Sequence, residues 1–129
     1  MTRQAIATKD APAAIGTYSQ GIKAGRTVYL SGQLGLDPAS GNLHAAVDEQ
    51  IDQAFRNLRA VAQAAGASLD DAVKLTLFLT DLSHFAKVNE TMARYFKEPY
   101  PARSTVQVAA LPKGAVFEAE AILVTGSES

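Results

Sequence analysis

The sequence contains no cysteine. That removes disulfides, thiolate nucleophiles and cysteine-held metals at once. Histidine occurs twice, at His44 and His84, in no HExxH or comparable ligand spacing, so no metal centre is expected. No apolar run approaches the ~20 residues that a membrane helix needs. The first eight residues lack the apolar stretch of a signal peptide, which makes a cytoplasmic location the expectation. Charge of one sign is also missing: 12 basic residues stand against 13 acidic ones, for a formal net charge of −1, and no lysine or arginine run stands out. A surface that tracks phosphates usually needs a clustered basic stripe, so neither nucleic acid nor a membrane is an expected partner. Repeats, low-complexity tracts and linkers are absent as well, leaving residues 1–129 as a single domain.

What is present suits a packed globular unit. Apolar residues make up 47% of the chain and charged residues 19%, proportions that argue against disorder. A chain of this length buries roughly two thirds of its unfolded surface, enough for a core without staples.

Glycines cut the first third into short β-segments: residues 18–23, a turn at Ala24-Gly25-Arg26, then residues 27–31. Asp37-Pro38-Ala39-Ser40-Gly41 has turn composition. From about residue 47 to 65 the period changes. Ile51, Phe55, Leu58 and Ala62 form one apolar stripe, with Glu49, Gln53, Arg56 and Arg59 between them, and Gly66 placed to end the helix. Residues 71–80 alternate, with Val73, Leu75, Leu77 and Leu79 on one face and Lys74, Thr76, Phe78 and Thr80 on the other. A second helix is expected to start near Ser83 as its cap, to turn Phe85, Val88, Met92 and Phe96 inward, and to stop before Pro99 and Pro101. Two last strands, 103–109 and 115–125, are joined by Leu111-Pro112-Lys113-Gly114. The expected order is β-β-α-β-α-β-β with a minor strand near Leu43, an α+β fold with one mixed sheet and two helices on one face. The strands are apolar on both sides, and a sheet of that kind must be covered twice. With a single helical layer available, a second subunit is the expected cover.

Three features break the pattern of a structural strand. Glu118 and Glu120 share a strand face with Val116, Ile122 and Val124, where carboxylates are costly unless paired, hydrogen-bonded or protonated. Arg103 and Thr105 share a face of the preceding strand. A guanidinium near a carboxylate on neighbouring strands is either a cross-strand ion pair, the commoner arrangement, or the two ends of an anion-binding and acid/base site. Third, Ser31-Gly32 follows a buried strand and can present a hydroxyl and backbone amides to a ligand, in a composition also common at strand ends. There is no GxSxG elbow, no GxGxxG and no GxxxxGK[ST].

At these residues the chain resembles the RidA/YjgF family of reactive-intermediate deaminases over nearly its whole length. The landmarks are Ala11-Pro12-Ala13-Ala14-Ile15-Gly16-Thr17-Tyr18-Ser19-Gln20, Ser31-Gly32-Gln33, Pro101-Ala102-Arg103-Ser104-Thr105-Val106-Gln107-Val108, Leu111-Pro112-Lys113-Gly114 and Glu118-Ala119-Glu120-Ala121-Ile122. The resemblance implies a chorismate-mutase-like fold, a homotrimer around a central barrel of sheets, and sites at the subunit interfaces. It implies a 2-iminobutanoate/2-iminopropanoate deaminase that hydrolyses 2-imino acids to 2-keto acids and ammonia without metal or cofactor. Arg103 then grips the substrate carboxylate and Glu118 activates water, while Tyr18, Ser31, Gly32, Asn89 and Thr105 line the cleft and Glu120 supports the fold. Thr17 replaces the proline usual before the tyrosine, and Thr105 stands where many members carry cysteine. Those departures leave open a trimer that binds keto acids without turnover. An RNA-cleaving or translation-inhibiting role is the remaining alternative, opposed by the near-neutral charge.

Overall fold

The computed structural model describes residues 2–126. Six strands form one sheet: β1 (Arg3–Ile6), β2 (Gly21–Ala24), β3 (Thr27–Leu34), β4 (Ala72–Leu79), β5 (Ala102–Gln107) and β6 (Phe117–Val124). Their spatial order is β1-β2-β3-β6-β4-β5, antiparallel throughout except for the parallel β4–β5 pair. The helices are α1 (Val47–Ala64) and α2 (Phe85–Met92). The fold is the expected α+β arrangement, with one strand more at its start.

Alternation in β6 sets the layering. Phe117, Ala119, Ala121 and Leu123 are buried against the helices, joined by Leu75, Leu77 and Leu79 of β4 and by Val28 and Leu30 of β3. The α1 stripe anticipated from sequence meets them: Ile51, Phe55, Leu58 and Ala62 have no exposed surface. Phe55 sits at the junction of sheet and both helical segments, its ring centroid 5.5 Å from that of Phe117 and 5.8 Å from that of Phe96. Gly66, at φ 78°, ends α1 in the left-handed conformation that glycine adopts without steric cost.

The opposite face carries no helix. Tyr29, Val106 and Val124 are exposed there, with Phe78 and Ile122 half-buried beside them. The two-sided apolar character read from sequence is therefore present, and the side away from the helices is the open one.

Several boundaries differ from expectation. β1 pairs with β2 in full register, but only Ile6 of its four residues is buried, so no alternation marks it in the sequence. The strand expected at 18–23 begins at Gly21, and Tyr18 lies in the preceding loop. The minor strand near Leu43 is a single bridge, Leu36 to Leu43. Val73 is 47% exposed because a register shift between Ala72 and Lys74 throws it out of the ladder. Ser83 does not cap α2. It lies in a 3₁₀ turn, Leu82–His84, where Asp81 accepts from the Ser83 N–H at 2.9 Å. Phe85 is 40% exposed rather than inward, while Val88, Met92 and Phe96 are buried as expected.

Truncating Phe55 leaves a void among three aromatic neighbours that cannot all collapse. Phe55→Ala is expected to destabilise the fold by ~3–5 kcal/mol. The midpoint of denaturant unfolding followed by far-UV circular dichroism checks this.

Candidate active site on two faces of the sheet

The side-chain direction of each strand decides where the candidate residues go. Because Phe117 and Ala119 face α1, Glu118 between them faces the open side. Its register partners are Leu34 on β3 and Phe78 on β4. Arg103 pairs with Leu75, a core residue, and therefore points to the helical side. β5 neighbours β4 and not β6, so the cross-strand ion pair considered from sequence does not exist within one chain. Glu118 and Arg103 stand on opposite faces of the same sheet.

Glu118 lies in a cleft of about 730 Å³ together with Tyr18, Ser31, Gly32, Glu120 and Lys113. Its seat is a β-bulge. The register shifts between Leu30 and Gln33, and Gly32 sits in the shifted stretch. A Cβ on Gly32 would approach Glu118 Cδ to 2.8 Å and its Oε2 more closely still. Only glycine lets the carboxylate lie against this backbone. Burial raises the Glu118 pKa above the usual glutamate value, and the negative charge of Glu120 raises it further. Glu120 is exposed and lines the same cleft, so it acts on Glu118 electrostatically and does not brace the fold.

Ser31 has a different task from the one its hydroxyl suggests. Its Oγ donates to Ser19 O at 2.5 Å and its N–H donates to Gln20 O at 3.0 Å, which fastens the Tyr18 loop beside the cleft. The loop is tied a second time by Gln20, which sequence reading passed over. Gln20 is 4% exposed; its Nε2 donates to Thr8 O and Pro12 O, and its Oε1 accepts from the Thr8 N–H. Tyr18 is half exposed and lines the cleft, with its hydroxyl at 3.5 Å from the Ile15 nitrogen.

The second group gathers around a cavity of about 350 Å³ lined by Asn89, Met92, Ala93, Tyr100, Pro101 and Arg103. Arg103 Nη1 donates to Asn89 Oδ1 at 2.6 Å and approaches Met92 Sδ at 3.6 Å. The guanidinium carbon lies 5.1 Å from the Phe85 ring centroid, within cation–π range, which explains why Phe85 is on the surface. With Nη1 committed, the Nη2 and Nε donors have no hydrogen-bond partner among the described residues. Thr105 follows on the same strand face. It does not line the cavity, and its buried hydroxyl has no hydrogen-bond partner among the described residues.

The expected site residues thus form two groups. Tyr18, Ser31, Gly32 and Glu118 come together on the open face, and Asn89 and Arg103 come together beside α2. Neither histidine lines either space. Among the described residues no group of three or more His, Asp or Glu is placed to hold a metal, and no helix is long and apolar enough to cross a membrane.

Comparison with known proteins places the chain. A family model described as endoribonuclease L-PSP matches residues 8–125. The chain belongs to the RidA/YjgF family. A RutC family protein of Sinorhizobium fredii is 50% identical over 119 residues, which span 92% of this chain and 94% of that protein. The 2-iminobutanoate/2-iminopropanoate deaminase of Bos taurus is 48% identical over 127 residues, 98% of this chain and 93% of that one. Among solved structures, RidA from an Antarctic Psychrobacter superposes with a TM-score of 0.93 at 55% identity, covering 95% of this chain and 99% of that one. E. coli TdcF with bound serine superposes with a TM-score of 0.91 at 41% identity, covering 95% and 99%. The chorismate-mutase-like fold expected from the RidA/YjgF resemblance is the fold observed.

Also overlooked from sequence were the buried amides of α1. Gln50, Gln53 and Asn57 recur at helical spacing, and all three are at most 5% exposed. Gln53, which the sequence places between the apolar residues alongside Glu49, Arg56 and Arg59, is buried. The available signal was a stripe of uncharged amides beside the apolar one, distinct from the charges of Glu49, Arg56 and Arg59.

The raised pKa of Glu118 has a signed consequence. In the folded protein its carboxyl holds its proton to higher pH than in the unfolded chain. Its contribution therefore favours folding below the unfolded-state pKa and is lost as pH rises through the folded-state value. Glu118→Gln is accordingly expected to raise stability near neutral pH and to leave it unchanged in acid, which unfolding midpoints measured across that range will read.

Proposed function

We propose that the protein hydrolyses short 2-imino acids, such as 2-iminopropanoate and 2-iminobutanoate, to 2-keto acids and ammonia, at sites assembled between the subunits of a homotrimer. The observation that carries this reading is the placement of Glu118 and Arg103 on opposite faces of one sheet. In a 2-imino acid the carboxylate and the imine share adjacent carbons. One chain cannot bring both groups to so small a molecule, whereas the open face of one copy against the Arg103 side of another can. The exposed apolar side chains on that open face, Tyr29, Val106 and Val124, favour such coverage. Mammalian relatives named 2-iminobutanoate/2-iminopropanoate deaminase support the substrate class.

The chemistry follows from the residues. Arg103, oriented by Asn89 and Phe85, takes the substrate carboxylate on its remaining edge with two parallel hydrogen bonds, a geometry that lysine does not reproduce. Glu118 removes a proton from water as the oxygen bonds to the electrophilic carbon of the protonated imine and its C=N π pair moves to nitrogen, giving a neutral carbinolamine. That proton passes to the nitrogen, and the C–N bond breaks as the carbinolamine hydroxyl gives its own proton to Glu118, so that ammonia departs and the carbonyl forms. The iminium carbon is already activated, so the scheme calls on no covalent intermediate, metal or cofactor. General-base help of this kind contributes ~10²–10⁴-fold. The raised pKa suits Glu118 to the task, since a base is most effective when its pKa lies near the working pH. Binding of a 2-keto acid without imine turnover would favour the non-catalytic trimer instead, a reading that the uncommitted Thr105 hydroxyl keeps in view.

Imine hydrolysis is measured with imines generated by an amino-acid oxidase. Arg103→Ala and Glu118→Gln are each expected to lose nearly all of it. Trimers assembled at random from equal amounts of the two inactive variants pair an intact Glu118 with an intact Arg103 at one interface of every mixed trimer, so the whole population is expected to recover about a quarter of the wild-type rate and the mixed trimers alone about a third. Absence of recovery in confirmed mixed trimers would place both groups in one chain's site and reject the composite reading.

A further inference from the structure

Two of the buried amides of α1, Gln50 and Asn57, are directed at the backbone that holds Glu118. Asn57 is fully buried, and its Nδ2 donates to Leu34 O at 3.1 Å and to Leu36 O at 2.9 Å. Both partners are carbonyls and can only accept, so the orientation of the Asn57 amide is decided. Its Oδ1 must then accept, and it does so from Gln53 Nε2 at 2.7 Å. Gln53 Oε1 in turn faces His44 Nε2 at 3.2 Å, which makes that ring nitrogen the donor. Each bond sets the direction of the next.

Gln50 works on the other strand. Its Oε1 accepts from the Val116 N–H at 2.9 Å, and its Nε2 donates to His44 O at 2.8 Å. The His44 N–H donates to Gly35 O at 3.1 Å. Gly35 is pressed against the helix backbone, since a Cβ there would come to 2.8 Å from Gln50 C. One helix therefore grips residues 34–36 at the end of β3 and residue 116 before β6. Leu34 is the register partner of Glu118, and Val116 precedes it by two residues. The bulge that seats the Glu118 carboxylate on Gly32 is bounded by the same stretch, and its other end is held by the bonds of Ser31. Packing alone would be served by leucine at these helix positions. Two amides aimed at backbone groups, with Gln53 orienting one of them, specify position.

We propose that Asn57 and Gln50 are positioning residues that set the Glu118 carboxylate against its β3 seat for the proposed hydrolysis. This inference rests on the imine-hydrolase reading, so it is tested by two readouts, one of them independent of turnover. The charged groups near Glu118 are Glu120 on its own strand and Lys113 in the same cleft, and the substitutions touch neither.

In Asn57→Leu and Gln50→Met, kcat is expected to fall at least tenfold while KM stays within threefold. The lower pH midpoint of kcat/KM is expected to shift toward that of an ordinary glutamate as the seat loosens and admits water. Gln50→Glu keeps an acceptor for the Val116 N–H and is expected to restore part of the rate. The second readout is the Glu118 carboxyl titration followed by ¹³C NMR, with the same downward shift expected in both variants. If wild type shows no imine turnover, the functional reading fails and the titration alone judges the positioning role. Folded variants with wild-type kcat and an unmoved Glu118 titration overturn the proposal. Should neither variant fold, Gln53→Leu, which removes the bond that orients Asn57 and the one to His44 but leaves both backbone grips in place, is read by the same titration, and an unmoved value there overturns it equally.

Discussion

The two-residue period of β6 is the constraint on which the rest of this protein depends. Phe117, Ala119, Ala121 and Leu123 are committed to the helical layer, and once they are, Glu118 and Glu120 have no choice but to face away from it. The strand order then puts β4 between β6 and β5. Leu75 and Leu77 of β4 belong to the core, so their partners Arg103 and Thr105 on β5 lie on the helical side. No side-chain rearrangement can reunite a carboxylate and a guanidinium separated in this way. Slipping either strand by one residue would turn its whole apolar set to water.

Each half of the candidate site is shaped by a close approach that uses a missing side chain or a committed hydrogen bond. Gly32 lets the Glu118 carboxylate lie on the β3 backbone, and Gly35 lets α1 press on the same strand end. Half-buried and beside Glu120, Glu118 is less acidic than a solvated glutamate. Arg103 has one nitrogen fixed by Asn89 and its plane resting over Phe85, so its remaining edge has a defined direction. An arginine held on two sides loses less freedom when a ligand arrives than a free one does. The apolar open face between the halves gives a physical motive for the association that the proposed chemistry requires.

The legible parts of the fold were those where burial imposes a simple period. The α1 stripe of Ile51, Phe55, Leu58 and Ala62 was readable, as was the alternation of Leu75, Leu77 and Leu79, because each faces one continuous core. β1 was not, since a polar edge strand with only Ile6 buried has no pattern to read. Val73 broke its alternation through a bulge that depends on how β6 pairs, and Phe85 left the core because Arg103 sits over it. Ser83 looked like the cap of α2, but it lies inside a 3₁₀ turn that Asp81 caps, and α2 itself starts without a side-chain cap. These misses share a cause: each depends on a partner distant in sequence or on a local choice between equivalent polar groups.

The sequence by itself determined the class of the fold, the two helices and the apolar character of both sheet faces, and it singled out Arg103 and Glu118 as charged residues set into apolar strands. Periodicity and residue chemistry are local properties, and those conclusions need nothing more. Only the tertiary structure decided that Glu118 and Arg103 occupy opposite faces, that Ser31 and Gln20 secure a loop, and that two amides of α1 aim at the backbone around Glu118. Those facts follow from strand order, register and close backbone approach, which are relations between segments far apart in the chain and are written in no single stretch of it.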